Sequence, residues 1–400
     1  MNSATRLHFQ RVQAIGAAIT CVATVGIGLS LSVPLLAFAM QARGASATLI
    51  GLNTAMAGLA TILVAPLVPR TAMHIGVRPL LLLALAVGAA TFIGFWLSSP
   101  LWLWFPLRFL FGASLAVLFV LSEFWINDVA PDHARGLVMG IYSTALALGF
   151  AAGPTLLAAI DRDGPLPYVV GAALFVVAAL PLGFAGALAP AIHEPPQSHL
   201  FVYLRAAPSA VIAAFVFGAV ETGGMSFLPL YGLAMGYGDV ASMLLVSILA
   251  LGNVLVQIPL GFVSDRMDRR RLLILLAVVG ALGAAVMPLI AHQTALLFPV
   301  VAVWGGLVAG LYTVGLAHLG SQFRGSDLAA ANATYILMYS VGILAGPPVL
   351  GLGLDIWNPN GLPLTIALLF AIYLFVVIFH VKETPRERTP AAAPDLSRDG

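Results

Sequence analysis

The sequence predicts an all-α membrane protein of twelve transmembrane helices in two pseudo-symmetric six-helix bundles. Three observations carry that reading. Of 400 residues, 60% are hydrophobic and only 8% charged, and the mean hydropathy is +1.02, whereas soluble domains carry about 25% charged residues. Apolar runs of bilayer-spanning length recur twelve times, and the second half of the chain echoes the first. A soluble enzyme is excluded for want of a polar surface. The net charge of +2 leaves no basic surplus for nucleic acid, and no long polar tract supports disorder.

A bilayer core takes about 20 mostly apolar residues per helix. The first run, 12–40, follows Arg6 and Arg11; it is too long for the apolar core of a signal peptide, about 7–15 residues. Runs 47–68 and 79–97 flank a loop with Arg70 and Arg78. Runs 101–126, 136–160 and 167–188 complete the first bundle, residues 1–188, and a Pro-containing linker covers 189–206. Runs 207–233, 240–263, 272–291, 295–318, 328–354 and 362–381 form the second bundle, residues 207–382, and 383–400 is a polar, disordered tail. None of the runs alternates with a period of two, so a β-barrel is excluded.

The basic residues orient these spans. Fifteen of the eighteen lysines and arginines, from Arg6 to Arg398, fall on the side of the termini. Only Arg43 and Arg162 fall opposite, and Arg108 lies within a run. The positive-inside rule therefore places both termini of this multi-pass protein in the cytoplasm.

The repeat has a register. Residues 106–112 align with 299–305, and Tyr142, Gly149, Gly153 and Pro154 with Tyr335, Gly342, Gly346 and Pro347, all at an offset of 193. Pro34, Ala39 and Met40 align with Pro229, Ala234 and Met235 at an offset of 195. Six helices repeated in one orientation imply two bundles related by an axis along the membrane normal, as in parallel-repeat transporters.

Residues 261–270 read Gly-Phe-Val-Ser-Asp-Arg-Met-Asp-Arg-Arg, and 69–78 hold the same frame with Pro69 and Met73 in place of the glycine and aspartate. The frame resembles the signature loop of the major facilitator superfamily, and the resemblance extends along the whole chain. It departs from the usual pattern, in which the better copy lies in the first half. By this resemblance Gly261, Asp265, Arg266 and Arg270 belong to a cytoplasmic gate, with Asp265 facing the helix start at Arg135. An aspartate against a helix N-terminus gains about 0.3–1 kcal/mol. The alternative reading is that the arginines merely hold the loop in the cytoplasm.

Arg108 to Gly112 is similar to the family's Arg-x-x-x-Gly element, and Gly140, Gly149, Gly153 and Pro154 are similar to the helix-packing motif of proton-coupled drug exporters. The family also implies that helices 1, 4, 7 and 10 line a central cavity. Phe119, Tyr312, Trp304, Phe111 and Phe217 fall on those helices as cavity-lining candidates.

Three ionisable side chains lie inside apolar runs: Arg108, Glu123 and Glu221. Each costs about 2.5–3.5 kcal/mol on insertion scales and so marks a candidate functional site. Glu221, near the middle of its run, is the leading proton-coupling candidate, since an apolar site lets a carboxyl exchange protons near neutral pH. Arg108 is a candidate to bind an anionic group or to tune a carboxylate. Glu123, near the inner end, is open between a gate partner for Arg135 or Asn127 and a proton relay.

No phosphate-binding loop, hydrolase motif or clustered histidines are present, so neither an enzyme, a metal site nor a cofactor is expected, and the driving force is a proton gradient. The predicted function is secondary active transport of a small amphipathic organic solute by alternating access, as proton-coupled efflux. The alternative is proton-coupled uptake of a small organic anion. The partners are the solute and the lipid bilayer, with no nucleic acid, and the protein acts as a monomer.

Overall fold

The computed structural model describes residues 3–131, 135–160, 164–184, 204, 207–323 and 325–379. Almost all of the linker and the whole of the polar tail lie outside them. Among the described residues twelve helices are long and apolar enough to cross a membrane. In the first half they are α1 (Ser3–Ala42), α2 (Ala47–Val64), α3 (Val77–Leu97), α4 (Trp104–Val129), α5 (Arg135–Ala159) and α6 (Leu166–Phe184). In the second they are α7 (Pro208–Ala234), α8 (Asp239–Arg266), α9 (Arg269–Ile290), α10 (Thr294–Gln322), α11 (Gly325–Ile356) and α12 (Gly361–Phe379). With twelve crossings the chain starts and finishes at one end of the molecule, the terminal end; the other is the distal end.

The second span runs further than its apolar stretch. After Val64 a single 3₁₀ turn, Ala65–Leu67, leads into a short helix, Val68–Ile75. Pro66 and Pro69 lack the N–H groups that an unbroken helix uses, but each is tolerated at a helix start. Gly76, at φ +90°, ends the segment.

Packing repeats between the halves. In the first, α1 packs on α4, α5 and α6, and α3 on α4 and α6. In the second, α7 packs on α10, α11 and α12, and α9 on α10 and α12. The glycines expected at the α5 crossing make it: a Cβ on Gly149 would stand 2.8 Å from the Ala23 carbonyl oxygen, and one on Gly153 2.1 Å from Ser30 Oγ. Gly342 and Gly346 of α11 meet Phe215 and Ala219 of α7 in the same way.

The turns correct the register at the first helix. Gly44 and Gly236 both have positive φ, and each is followed by a residue (Ala45, Tyr237) whose N–H closes back on the fifth residue before it (Met40, Gly232). That sets the offset at 192, not 195. Pro34 and Pro229 are therefore one helical turn out of register: they share a helix face, which is why they align in sequence without being equivalent.

The two halves meet along two seams, α2 with α11 and α5 with α8, and α1 also touches α7. The first seam is backbone against backbone in its distal part. A Cβ on Gly51 would stand 2.3 Å from the Pro347 carbonyl oxygen, and one on Gly351 2.3 Å from that of Ala47. The corrected register puts Met243 and Ala158 at the counterpart positions of the second seam, which is looser. There Thr155 Oγ1 and Ser247 Oγ lie 3.0 Å apart in the distal part, while Gly140 and Gly261, towards the terminal end, would each carry a Cβ into open space. Ser226 of α7 reaches Thr54 of α2 at 3.5 Å, again in the distal half. The molecule is closed distally and open between α5 and α8 at the terminal end.

Candidate functional site

Glu221 stands midway along α7 and is half-buried. Its Oε2 accepts a hydrogen bond from the Tyr339 hydroxyl of α11 at 2.6 Å. The two helices come this close because of Gly218, one turn earlier, where a Cβ would stand 2.3 Å from the Tyr339 carbonyl oxygen. Phe217 stacks on Tyr339 (6.0 Å between centroids, 21° between planes) and lies 5.7 Å from the ring of Tyr312 on α10. Tyr312 meets Tyr339 edge-on at 5.3 Å and Tyr335 at 5.2 Å, and Tyr335 donates to the Tyr312 carbonyl at 2.6 Å. The carboxylate thus sits on the edge of an aromatic cluster drawn from three helices. α7 stays helical through Thr222, Gly223 and Gly224.

Glu123 lies towards the terminal end of α4, its side chain exposed, with Phe119 one turn before it and 36% exposed. Asn127 donates to the backbone carbonyl of Glu123 at 2.8 Å, not to its carboxylate. Glu221 belongs to the second bundle and Glu123 to the first, so each bundle carries one carboxylate within its spans.

Arg108 is placed apart from both. It is 1% exposed, donates from Nη1 to Ser32 Oγ of α1 at 3.1 Å, and has the Phe111 ring 5.8 Å away. Among the described residues its Nε and Nη2 have no hydrogen-bond partner.

Two cavity-lining candidates are corrected by the packing. Phe111 is fully buried against Phe92 of α3 and Phe175 of α6, at 5.3 and 5.7 Å. Trp304 donates to the Gly280 carbonyl at 3.0 Å and fills the hollow over Gly283 of α9. Both face into their own bundles, because the small residues opposite leave room for a ring there. Phe217, Tyr312 and Phe119 are the members that flank the carboxylates.

The gate candidates divide in the same way. Asp265 is 78% exposed at the end of α8 and pairs with Arg269 at 3.9 Å, within its own bundle. Arg266 is exposed, and Gly261 faces open space. Arg270 Nη2 donates to the Val377 carbonyl at 2.9 Å, near the end of α12. Its counterpart Arg78 donates to the Leu182 and Gly183 carbonyls at the end of α6, at 2.9 and 2.7 Å. Cations suit helix C-termini, and both arginines tie a peripheral helix to its own bundle rather than bridging the seam. Asp268, where the signature has glycine, caps α9 through the Arg271 N–H at 2.8 Å. Arg135 begins α5, but its side chain lies outside the described residues. Gly149, Gly153 and Pro154 lie in the α1–α5 crossing, and Gly140 lies beyond it.

Two residues matter more than their sequence signals indicated. Tyr339 reads as one of a stripe of helix–helix polar groups. In the corrected register, however, Glu221 and Tyr339 stand where the first half has Leu29 and Leu146: a polar pair present in one repeat only. The other is Asp355, near the end of α11. Among the described residues no group of three or more His, Cys, Asp or Glu is placed to hold a metal.

Twelve spanning helices in two like bundles, closed at one end and with a carboxylate half-way along one of the helices, define a membrane transporter. The Major Facilitator Superfamily description matches residues 18–250 and 211–398, and the chain belongs to that family. An uncharacterized MFS-type transporter of Bacillus subtilis (strain 168), YfkF, is 26% identical over 340 residues, covering 82% of this chain and 85% of its own. A bacterial homologue of the human lysosomal transporter Spinster, solved inward-facing and unoccupied, superposes with a TM-score of 0.76 at 15% identity, over 92% of this chain and 95% of that one. A D-xylose–proton symporter superposes with a TM-score of 0.70 at 16% identity, over 94% and 98%.

Proposed function

We propose that this transporter is a proton-coupled exporter of small amphipathic organic solutes in the bacterial inner membrane, with Glu221 as the proton-carrying group. The observation that carries the reading is the 2.6 Å hydrogen bond from Tyr339 to a carboxylate half-way along a spanning helix, beside the aromatic faces of Phe217 and Tyr312. An apolar ring surface next to a carboxyl that can be charged or neutral suits a solute with an aromatic or aliphatic body and a polar tip. With both termini in the cytoplasm, the open end is the cytoplasmic one, the loading side for an exporter. Arg108 favours a second reading, uptake of a small organic anion, because a buried guanidinium with two unpartnered nitrogens suits a carboxylate or phosphate. The carrier works as a monomer, with no cofactor beyond the proton gradient.

Proteoliposomes with an imposed pH gradient test this. Solute flux against a panel of amphipathic compounds should depend on the gradient and run opposite to the protons, and Glu221→Gln should uncouple the two. Wild-type coupling in that variant would remove Glu221 as the proton site. Co-directional flux of anions abolished by Arg108→Gln would decide for uptake.

A further inference from the structure

The distal end is held by a carboxylate on a helix N-terminus, the contact expected of Asp265 at the other end. Asp355, at the close of α11, belongs to the second bundle. Its Oδ1 accepts from the Ala47 backbone N–H at 2.8 Å, and its Oδ2 from the Thr48 N–H at 2.8 Å and the Thr48 hydroxyl at 2.6 Å. Ala47 and Thr48 are the first two residues of α2, in the first bundle, and the third N–H, of Leu49, goes to Ser46 Oγ at 3.2 Å. A helix start leaves its first N–H groups without intrahelical partners; here two of them are satisfied from across the seam. Hydrogen bonds to an ionised acceptor are short and strong, and negative charge suits this end of a helix.

We infer that Asp355 is the latch of the distal gate: a carboxylate that holds α2 to α11 while the carrier is open at the terminal end, and that must let go each time the distal end opens. Two of its bonds are to backbone, which cannot follow by changing rotamer. A separation of the two helices by about 1 Å takes all three beyond hydrogen-bonding distance. Beneath it on the same seam, Gly51 and Gly351 meet bare backbone. At the other seam α8 carries an acid of its own, Asp239, in its first turn, where negative charge suits a helix start. The inference rests on the alternating-access reading above and is independent of Glu221 as the proton site.

The test reads the gate without a solute. Spin labels on Ser99→Cys and His292→Cys, exposed positions in distal loops of opposite bundles, report distal opening by double electron–electron resonance; the native Cys21 is buried. Asp355→Ala should raise the ratio of distal-open to distal-closed molecules by about three- to tenfold, and Thr48→Val, which removes one bond of the three, by about twofold. The double variant should shift no further than Asp355→Ala alone, because the hydroxyl acts only through the carboxylate. A contact that merely stabilises the fold would lower the thermal midpoint and leave the distance distribution unmoved. An unmoved distribution, or additive shifts, would overturn the latch. Should Asp355→Ala fail to fold, the nearly isosteric Asp355→Asn, which loses the charge and keeps one acceptor oxygen, should shift the ratio in the same direction by about twofold. Glu221→Gln in the flux assay keeps the two ideas separable: its wild-type coupling would retract the proton site and leave the latch standing.

Discussion

A single methyl group at Gly51 tests whether the α2–α11 seam is the closed gate. A Cβ there would stand 2.3 Å from the Pro347 carbonyl oxygen, 2.5 Å from its carbonyl carbon and 2.8 Å from the Pro348 nitrogen. Non-bonded carbons settle at about 3.5–4.0 Å, so the helices must part by roughly 1 Å to admit it. The obstacle is backbone on a helix fixed by two prolines, and no side chain can swing clear. Overpacking of this kind costs about 1–3 kcal/mol. The cost falls on the distal-closed conformation alone, since separated helices leave the methyl free. Gly51→Ala should therefore shift the closed-to-open ratio towards open by about 5- to 150-fold, at 1.36 kcal/mol per factor of ten. The label pair on Ser99→Cys and His292→Cys reads the shift. Gly140→Ala is the control, because its Cβ meets nothing within 4 Å. A Gly51→Ala distribution matching the parent, or an equal shift from Gly140→Ala, would refute the assignment of this seam as the gate.

Other consequences are as direct. Tyr339→Phe keeps the stack on Phe217 and removes the hydrogen bond to Glu221; proton flux per solute in proteoliposomes should fall about tenfold, in line with a bond to a charged group worth ~1.5 kcal/mol, with little change in thermal midpoint. Arg78→Ala and Arg270→Ala each strip a cap from a peripheral helix, a loss of about 1 kcal/mol, so thermal unfolding in detergent should begin a few degrees lower, while the distal label distances stay put. Arg108→Met should unfold at the same or a higher temperature, because two buried nitrogens forgo hydrogen bonds in the fold; a midpoint several degrees lower would show that the guanidinium is structurally paired. Finally, membrane-impermeant maleimide added to intact cells should label a cysteine at Arg43 and spare one at Arg266, and the reverse pattern would invert the assigned orientation.

The spans were legible because hydropathy over some twenty residues is a coarse property that single side chains do not overturn. Their ends were less so: Pro66 and Pro69 turn the second span into a short helix instead of stopping it. The repeat was legible, but its register at α1 was not, since prolines one turn apart on the same face mimic equivalence and only the Gly44 and Gly236 turns fix the count. Phe111 and Trp304 show a general limit. The helix a ring belongs to can be read from sequence, whereas the direction it faces depends on which neighbour is small, here Gly283 for Trp304. Glu221 stood out as a charge in an apolar run. Its partner Tyr339 did not, because a tyrosine in a spanning helix is unremarkable until the other repeat shows leucine in its place. Asp355 was hidden for a different reason: at the rim of a span an aspartate reads as a loop charge, and only the fold brings it to the start of α2.

The glycine seam has a consequence for speed. Interlocked side chains must change rotamer before two helices can separate, and each such change adds a step to the motion. In the distal part of α2 and α11 glycines bring main chain against main chain, and a water-accessible carboxylate fastens the rim. Once it lets go, water can enter from the top and the bundles can swing apart as two rigid bodies, like a book opening along a greased spine.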